Sequence, residues 1–252
     1  MLYSSRIHNY VFEMNTAEEC KMVNETNFYA NLGRILDVST VKTDVTMDEI
    51  NQMIDIVRRY NCICASPMPW ATRYTLDKLA DCPNTVVTGV VGFPGGAETT
   101  HIKVATANEL LSMGCKELDM VINVSALKSG NYDYVKNDIK AVVDTAGRIP
   151  VKTILEICYL TDEEIKRASE IGVSAGATYI KTGTGWGPRP TTVETVKLIR
   201  SVIGNSAKIK ASGGVRDLAT LEAMVEVGCD RFGIGVRTAN TIFEEVEKKL
   251  KK

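Results

Sequence analysis

A chain of 252 residues, 44% hydrophobic and 24% charged, can build a full apolar core, and its length suits one large α/β barrel or two modest domains. Thirty Lys and Arg oppose thirty-one Asp and Glu, and this formal charge of −1 removes the bulk electrostatic motive for gripping nucleic acid or an anionic membrane. No apolar run approaches the ~20 residues of a membrane span, and the opening MLYSSRIHNYVFEMNT lacks a secretory layout, so a soluble cytoplasmic protein acting on a small molecule is expected.

Residues 1–32 read as a polar, weakly helical extension that covers a barrel end or a subunit contact. From residue 33 onward, short apolar or β-branched runs alternate with segments of helical period. Strands are expected at 33–38, 62–66, 85–92, 116–123, 151–156, 178–182, 208–212 and 230–235. Helices are expected at 47–60, 101–114, 132–146, 162–176, 192–204 and 217–228. Gly114 and Gly228 sit where a left-handed residue would end a helix, and Thr161 precedes Asp162-Glu163-Glu164 as an N-cap. Eight β-α units without a dividing linker favour a closed (β/α)8 TIM barrel over 33–252, behind the N-terminal helical extension, as one domain.

Seven scattered cysteines without a C-x-x-C pair read as reduced thiols. The two histidines, His8 and His101, lack neighbours with metal-ligand spacing, so metal-dependent chemistry is not expected, although carboxylates alone could hold Mg²⁺. Cys62 and Cys158 read as small core side chains, Tyr132 and Tyr134 as packing for a helix start, and EEVEKKLKK at the C-terminus as a solvated helical face.

Barrel active sites lie at the C-terminal ends of strands, which draws attention to Asp37, Asp119, Lys181 and Lys210. Any one of them could be a structural ion pair or point outward. Two lysines at matching late positions of neighbouring strands six and seven can instead converge at the mouth. Ammonium groups ~4 Å apart at an effective dielectric near 20 repel by about 4 kcal/mol, roughly three pKa units, which would bring one amine towards neutrality. A neutral amine attacks a carbonyl to give a Schiff base, and Asp119 across the mouth could relay protons. Glu156, at the end of strand five, could join that relay or form a salt bridge. Glycine-rich turns follow strands six to eight at 182–190, 211–217 and 233–240. They serve either as tight turns or as a phosphate cradle after strands seven and eight.

The strings LDVSTVKTD, GFPGG, ELDMVINVSALKSGNY, VKTILE, YIKTGTGWG and KIKASGGVRD occur in this order between Leu36 and Ala239. In them the chain resembles the deoxyribose-phosphate aldolase family, class I aldolases that split 2-deoxy-D-ribose 5-phosphate into D-glyceraldehyde 3-phosphate and acetaldehyde. The resemblance implies a cofactor-free barrel, dimeric or tetrameric, with Lys181 as the Schiff-base lysine, Lys210 lowering its pKa and Asp119 relaying protons. It implies substrate contacts from Asp37, Cys64, Thr182, Gly185, Gly213, Gly214 and Gly235.

Departures concern the phosphate. The family's serine-bearing run after strand eight reads Gly233-Ile234-Gly235-Val236-Arg237 here, and Gly183 stands at a serine position after strand six. Each lost hydroxyl bond to a charged group is worth ~1.5–3 kcal/mol, and Arg237 is the natural replacement. Trp186 and Arg189 enlarge the loop after strand six. Three other readings compete: an aldolase for an unphosphorylated or carboxylate-bearing aldehyde, a non-catalytic sugar-phosphate sensor, and an isomerase or synthase without a Schiff base.

Overall fold

The structure, a computed structural model, describes residues 26–251, so most of the expected extension, with His8 and Cys20, lies outside the described residues. Residues 26–30 are helical, and a 3-10 turn at Leu32–Ile35 leads into the first strand. The elements then run β1 (Leu36–Thr40), α1 (Met47–Arg59), β2 (Cys64–Pro67), α2 (Thr72–Lys78), β3 (Val86–Val91) and α3 (Thr100–Met113). They continue with β4 (Glu117–Val121), α4 (Val124–Lys128), α5 (Tyr132–Ala146), β5 (Val151–Ile154), α6 (Asp162–Ser174) and β6 (Tyr179–Lys181). The last are α7 (Val193–Ile203), β7 (Lys208–Ser212), α8 (Leu218–Glu226), β8 (Arg231–Gly235) and α9 (Val236–Leu250). Each strand pairs in parallel with its sequence neighbour, and β8 returns to β1, so the sheet closes in the order β1 to β8. This is the expected TIM barrel.

Alternation along the strands sorts the side chains. Leu118, Met120, Ile180, Ile209, Ala211, Phe232 and Ile234 join the apolar layer between barrel and helices. Their alternate neighbours Glu117, Asp119, Lys181, Lys210 and Arg231 bond to one another inside the ring. The hydrophobic core is therefore the outer shell, and the barrel interior is ionic. Gly233 makes that possible: a Cβ there would stand 2.9 Å from Ser212 Cβ and 3.1 Å from Lys210 Cε, in the space the Lys210 stem occupies.

All eight expected strands and six expected helices are present, with ends moved by a few residues. The run 33–38 becomes strand only at Leu36, after the 3-10 turn. Three helices were not anticipated. The short α2 buries Thr72 and Thr75 rather than an apolar stripe, α4 spans only five residues, and α9 begins directly on β8. The segment read as a solvated face contributes the end of α9, where Val246 is buried and the charged residues around it are exposed or half-exposed. Tyr132 is exposed beside the Arg167 guanidinium, 5.6 Å from the ring centre, so it does not pack the start of α5. Among the described residues, no helix is long and apolar enough to cross a membrane.

Gly114 caps α3 with φ 113°, and Thr161 opens α6 in a capping box with Glu164. Thr161→Ala should cost about 1 kcal/mol. That lowers the melting temperature by roughly 2–4 °C, while Thr161→Ser should restore it; calorimetry measures both.

Candidate active site

At the C-terminal end of the barrel, register sets Lys181 directly beside Lys210, Lys210 beside Arg231, and Asp119 beside Lys152. Asp119 lies at the centre. Its Oδ2 accepts from Lys181 Nζ and Lys210 Nζ, both at 2.7 Å, and its Oδ1 accepts from Lys152 Nζ at 2.9 Å and Thr88 Oγ1 at 3.1 Å. Lys210 Nζ also donates to Asp37 Oδ2 at 2.5 Å, and Arg231 Nε donates to Asp37 Oδ1 at 2.7 Å. Below them Glu117 takes a bidentate bond from Arg231 at 2.7 and 2.8 Å and a third from Lys152 at 2.5 Å. The Tyr179 ring closes the network, with Arg231, Lys208 and Lys152 at 5.5, 5.6 and 5.9 Å from its centre.

The network holds three carboxylates (Asp37, Glu117, Asp119) and four basic side chains (Lys152, Lys181, Lys210, Arg231). Ionised throughout it carries one excess positive charge; with one free amine it is neutral. In a buried site the neutral state is favoured. Lys181 is the group that yields. It makes one carboxylate bond where Lys210 makes two, and burial, aided by the Lys210 charge, brings it down to about 8 against the pull of Asp119. Burial also works against the charge on Lys210, but Asp119 and Asp37 outweigh it and raise that pKa. The repulsion expected between the lysines is thus present, with desolvation the larger cause.

Lys181 and Lys210 open onto a mouth cavity of about 670 Å³. Ser39 and Ser66 line its wall, and Gly185, Gly213, Gly214, Gly235 and Arg237 its rim. Gly213, with φ 77°, lets its loop approach Gly185 so closely that a Cβ would stand 3.0 Å from Gly185 Cα. The rim adds two cations that the sequence reading passed over, Lys42 and Arg216. There, α9 starts at Gly235 with no side-chain cap, leaving backbone N–H groups for an anion.

Three expected substrate contacts do not reach the cavity. Asp37 is fully buried beneath Lys210, where its carboxylate balances Lys210 and Arg231. Cys64 pairs with Asp37 in register, one layer below Ser66, and burial pushes its thiol up. Thr182 is fully buried, its hydroxyl bonded to Thr191 Oγ1 at 2.7 Å and to Ser212. Glu156 joins neither a proton network nor a salt bridge. Its buried carboxylate accepts from Thr184 Oγ1 at 2.5 Å and from Thr184 N, which hangs the loop after β6 from it, at a backbone φ of 57°. Cys158 is buried beside it. Glu117, Lys152 and Arg231 went unnoticed in the sequence, although each occupies an inward position of an expected strand. Asp37, Cys64 and Glu117 approach within 4.8 Å of one another, but both carboxylates are already bonded to cations.

A closed barrel with amines buried at its C-terminal mouth defines an enzyme of the carbonyl-chemistry type. The family model for DeoC/LacD family aldolases matches residues 38–244. A deoxyribose-phosphate aldolase of Klebsiella pneumoniae is 38% identical over 230 residues, 90% of this chain and 92% of the relative. One of Caldanaerobacter subterraneus is 42% identical over 231 residues, 90% and 99% of the two chains. The solved aldolase QR15 superposes with a TM-score of 0.79 at 37% identity, over 85% of this chain and 95% of that one. The Aeropyrum pernix deoxyribose phosphate aldolase, at 22% identity, shares the fold with a TM-score of 0.80 over 93% and 100%. The chain belongs to the DeoC/LacD aldolase family and is a carbon–carbon lyase.

The ionic interior couples stability to pH. Asp37 is lowered to about 2 because Lys210, Arg231 and Lys152 outweigh its burial, and Asp119 lies well below the usual carboxylate range because Lys152, Lys181 and Lys210 do the same. A carboxylate lowered on folding stabilises fully above its unfolded pKa, near 3.8, and loses that contribution as pH falls through the folded value. Denaturant midpoints should therefore fall steeply from pH 4 to pH 2, and Asp37→Asn should flatten the fall.

Proposed function

We propose that the chain cleaves 2-deoxy-D-ribose 5-phosphate, and forms it in reverse, through a Schiff base on Lys181. The observation that carries the reading is a cavity-facing amine near pKa 8 beside a carboxylate that two other lysines hold ionised. The neutral Lys181 amine adds to the aldehyde carbon C1 of the open-chain sugar to give a carbinolamine, which loses water to an iminium. Removing the proton of the C3 hydroxyl breaks the C2–C3 bond. Its electron pair passes to the iminium, releasing glyceraldehyde 3-phosphate and leaving an enamine. Protonation at C2 and hydrolysis then free acetaldehyde and the amine. Asp119, within 2.7 Å of both amines, relays the protons with Lys210, and Ser39 or Ser66 holds a sugar hydroxyl.

Phosphate binding falls to the backbone of Gly213, Gly214 and Gly235, the N–H groups opening α9, and the Lys42, Arg216 and Arg237 cations. Three rim cations favour a phosphorylated sugar over a neutral one, so the rate with deoxyribose 5-phosphate should exceed that with deoxyribose more than tenfold. A smaller ratio favours the unphosphorylated-aldehyde reading. Paired amines at a cavity are superfluous in a sensor or a Schiff-base-free isomerase. A homo-oligomeric state, as the family resemblance implies, and a cytoplasmic location belong to the same proposal. Six free cysteines among the described residues support the latter, and light scattering measures the former.

Acetaldehyde with borohydride should add one ethyl group to Lys181, and an unmodified Lys181 sinks the proposal. Turnover should rise with pH through a midpoint near 8 to a plateau beyond it, because only the neutral amine attacks. Lys210→Leu removes the neighbouring cation and leaves Asp119 to hold the Lys181 proton, so the midpoint of the pH–rate profile should move up. An unchanged midpoint in stopped-flow assays contradicts this account.

A further inference from the structure

Trp186, on the loop between β6 and α7, reaches across the barrel mouth. Its Nε1–H donates to Val41 O at 2.8 Å, just after β1, and its ring meets Phe93, just after β3, edge-on with centroids 6.1 Å apart. In the closed ring β1 lies three strands from β6 by way of β7 and β8, and β3 lies three strands away by way of β5 and β4. These contacts therefore span the opening rather than follow its rim. The loop itself is anchored, since Trp186 N donates to Thr184 Oγ1 at 3.0 Å and Thr184 hangs from the Glu156 carboxylate. The cavity that holds Lys181 follows this division. The loops after β1, β6, β7 and β8 line it together with Ser66 and Val90, and nothing from the loops after β4 and β5 does.

We infer that Trp186 is a specificity-determining strap. It closes the β4–β5 side of the mouth and directs the acceptor aldehyde from Lys181 towards the cationic rim at β7 and β8. It thereby selects a narrow, phosphate-bearing acceptor against a bulky, uncharged one. The inference rests on the aldolase reading above and deepens it by assigning acceptor choice to one side chain.

The test compares kcat/KM for acetaldehyde addition to D-glyceraldehyde 3-phosphate and to benzaldehyde, in the unsubstituted chain, Trp186→Ala and Trp186→Phe. Loss of the strap should lower the phosphorylated-to-aromatic ratio by about tenfold in Trp186→Ala, mainly through KM. The fall should be smaller in Trp186→Phe, which keeps a ring against Phe93 but loses the bond to Val41. A merely structural residue would depress both acceptors alike, so a ratio unchanged in both variants overturns the strap. Should Trp186→Ala fail to fold, Trp70→Phe leaves Trp186 as the sole tryptophan of the chain. Its emission should then shift on saturation with glyceraldehyde 3-phosphate, and a constant spectrum also overturns the strap. Borohydride trapping separates the two proposals: no label on Lys181 in the unsubstituted chain sinks the aldolase reading, whereas a label with an unchanged acceptor ratio sinks the strap alone.

Discussion

One carboxylate, Asp119, accepts from three lysine ammonium groups inside a ring of strands, and the rest of the site depends on that crowding. Burying an ion costs several kcal/mol even after relaxation, so a buried network is stable only when its charges cancel and its donors and acceptors are matched. Here all six oxygens of Asp37, Glu117 and Asp119 are occupied by cationic donors. Three anions cancel three cations. The fourth base finds no anion of its own, so its proton is the one the site holds least tightly. Lys152 and Arg231 cannot fill that role, because their carboxylate contacts outweigh the cost of burial and raise their pKa values. Lys181, with one bond and an open face on the cavity, can.

The fold turns this balance into geometry. The members of the network come from β1, β4, β5, β6, β7 and β8, up to 194 residues apart in the chain, and only closure of the sheet brings them together. Many barrels fill their interior with branched aliphatic layers. This one moves its apolar packing outward between strands and helices, and stability comes from that shell. The ionic interior is then free to be selected for chemistry, and the register of β6 against β7 places two amines side by side without any loop having to order them.

The barrel and its amines were legible in the sequence because both follow from period two. Charged residues that alternate with apolar ones along a strand share the face opposite the helices, and neighbouring strands bring them together. The same logic, applied to Lys152 within VKTI and to Glu117 two residues before Asp119, would have found more of the network. Those two residues lie early in their strands, away from the C-terminal ends where barrel sites are expected. Depth was harder to read than direction. Asp37 and Cys64 face inward as expected yet sit a layer below the cavity lining, and strand stagger, which sets depth, has no local sequence mark. Thr182 follows Lys181 directly, but its hydroxyl is drawn into a cluster with Thr191 and Ser212. Trp186 was seen to enlarge a loop, while its reach to Val41 and Phe93 required the closed ring.

The anion site proposed at the rim does not depend on serines. Hydroxyls are side-chain donors and vanish with substitution to Gly235 or Val236, whereas the N–H groups opening a helix belong to the backbone and remain. Arg237 sharpens the point. It stands in the first turn of α9, which contains no acidic residue, so its charge lies at the positive end of the helix dipole, where a cation is ordinarily unfavourable. Lys42 and Arg216 border the same cavity, where Glu49 is the one carboxylate of the lining. A lining with more cations than carboxylates, beside open helix amides, suits the dianion proposed above. A neutral sugar would leave both the cations and the amides without a partner, which is why the phosphate preference tests the proposal.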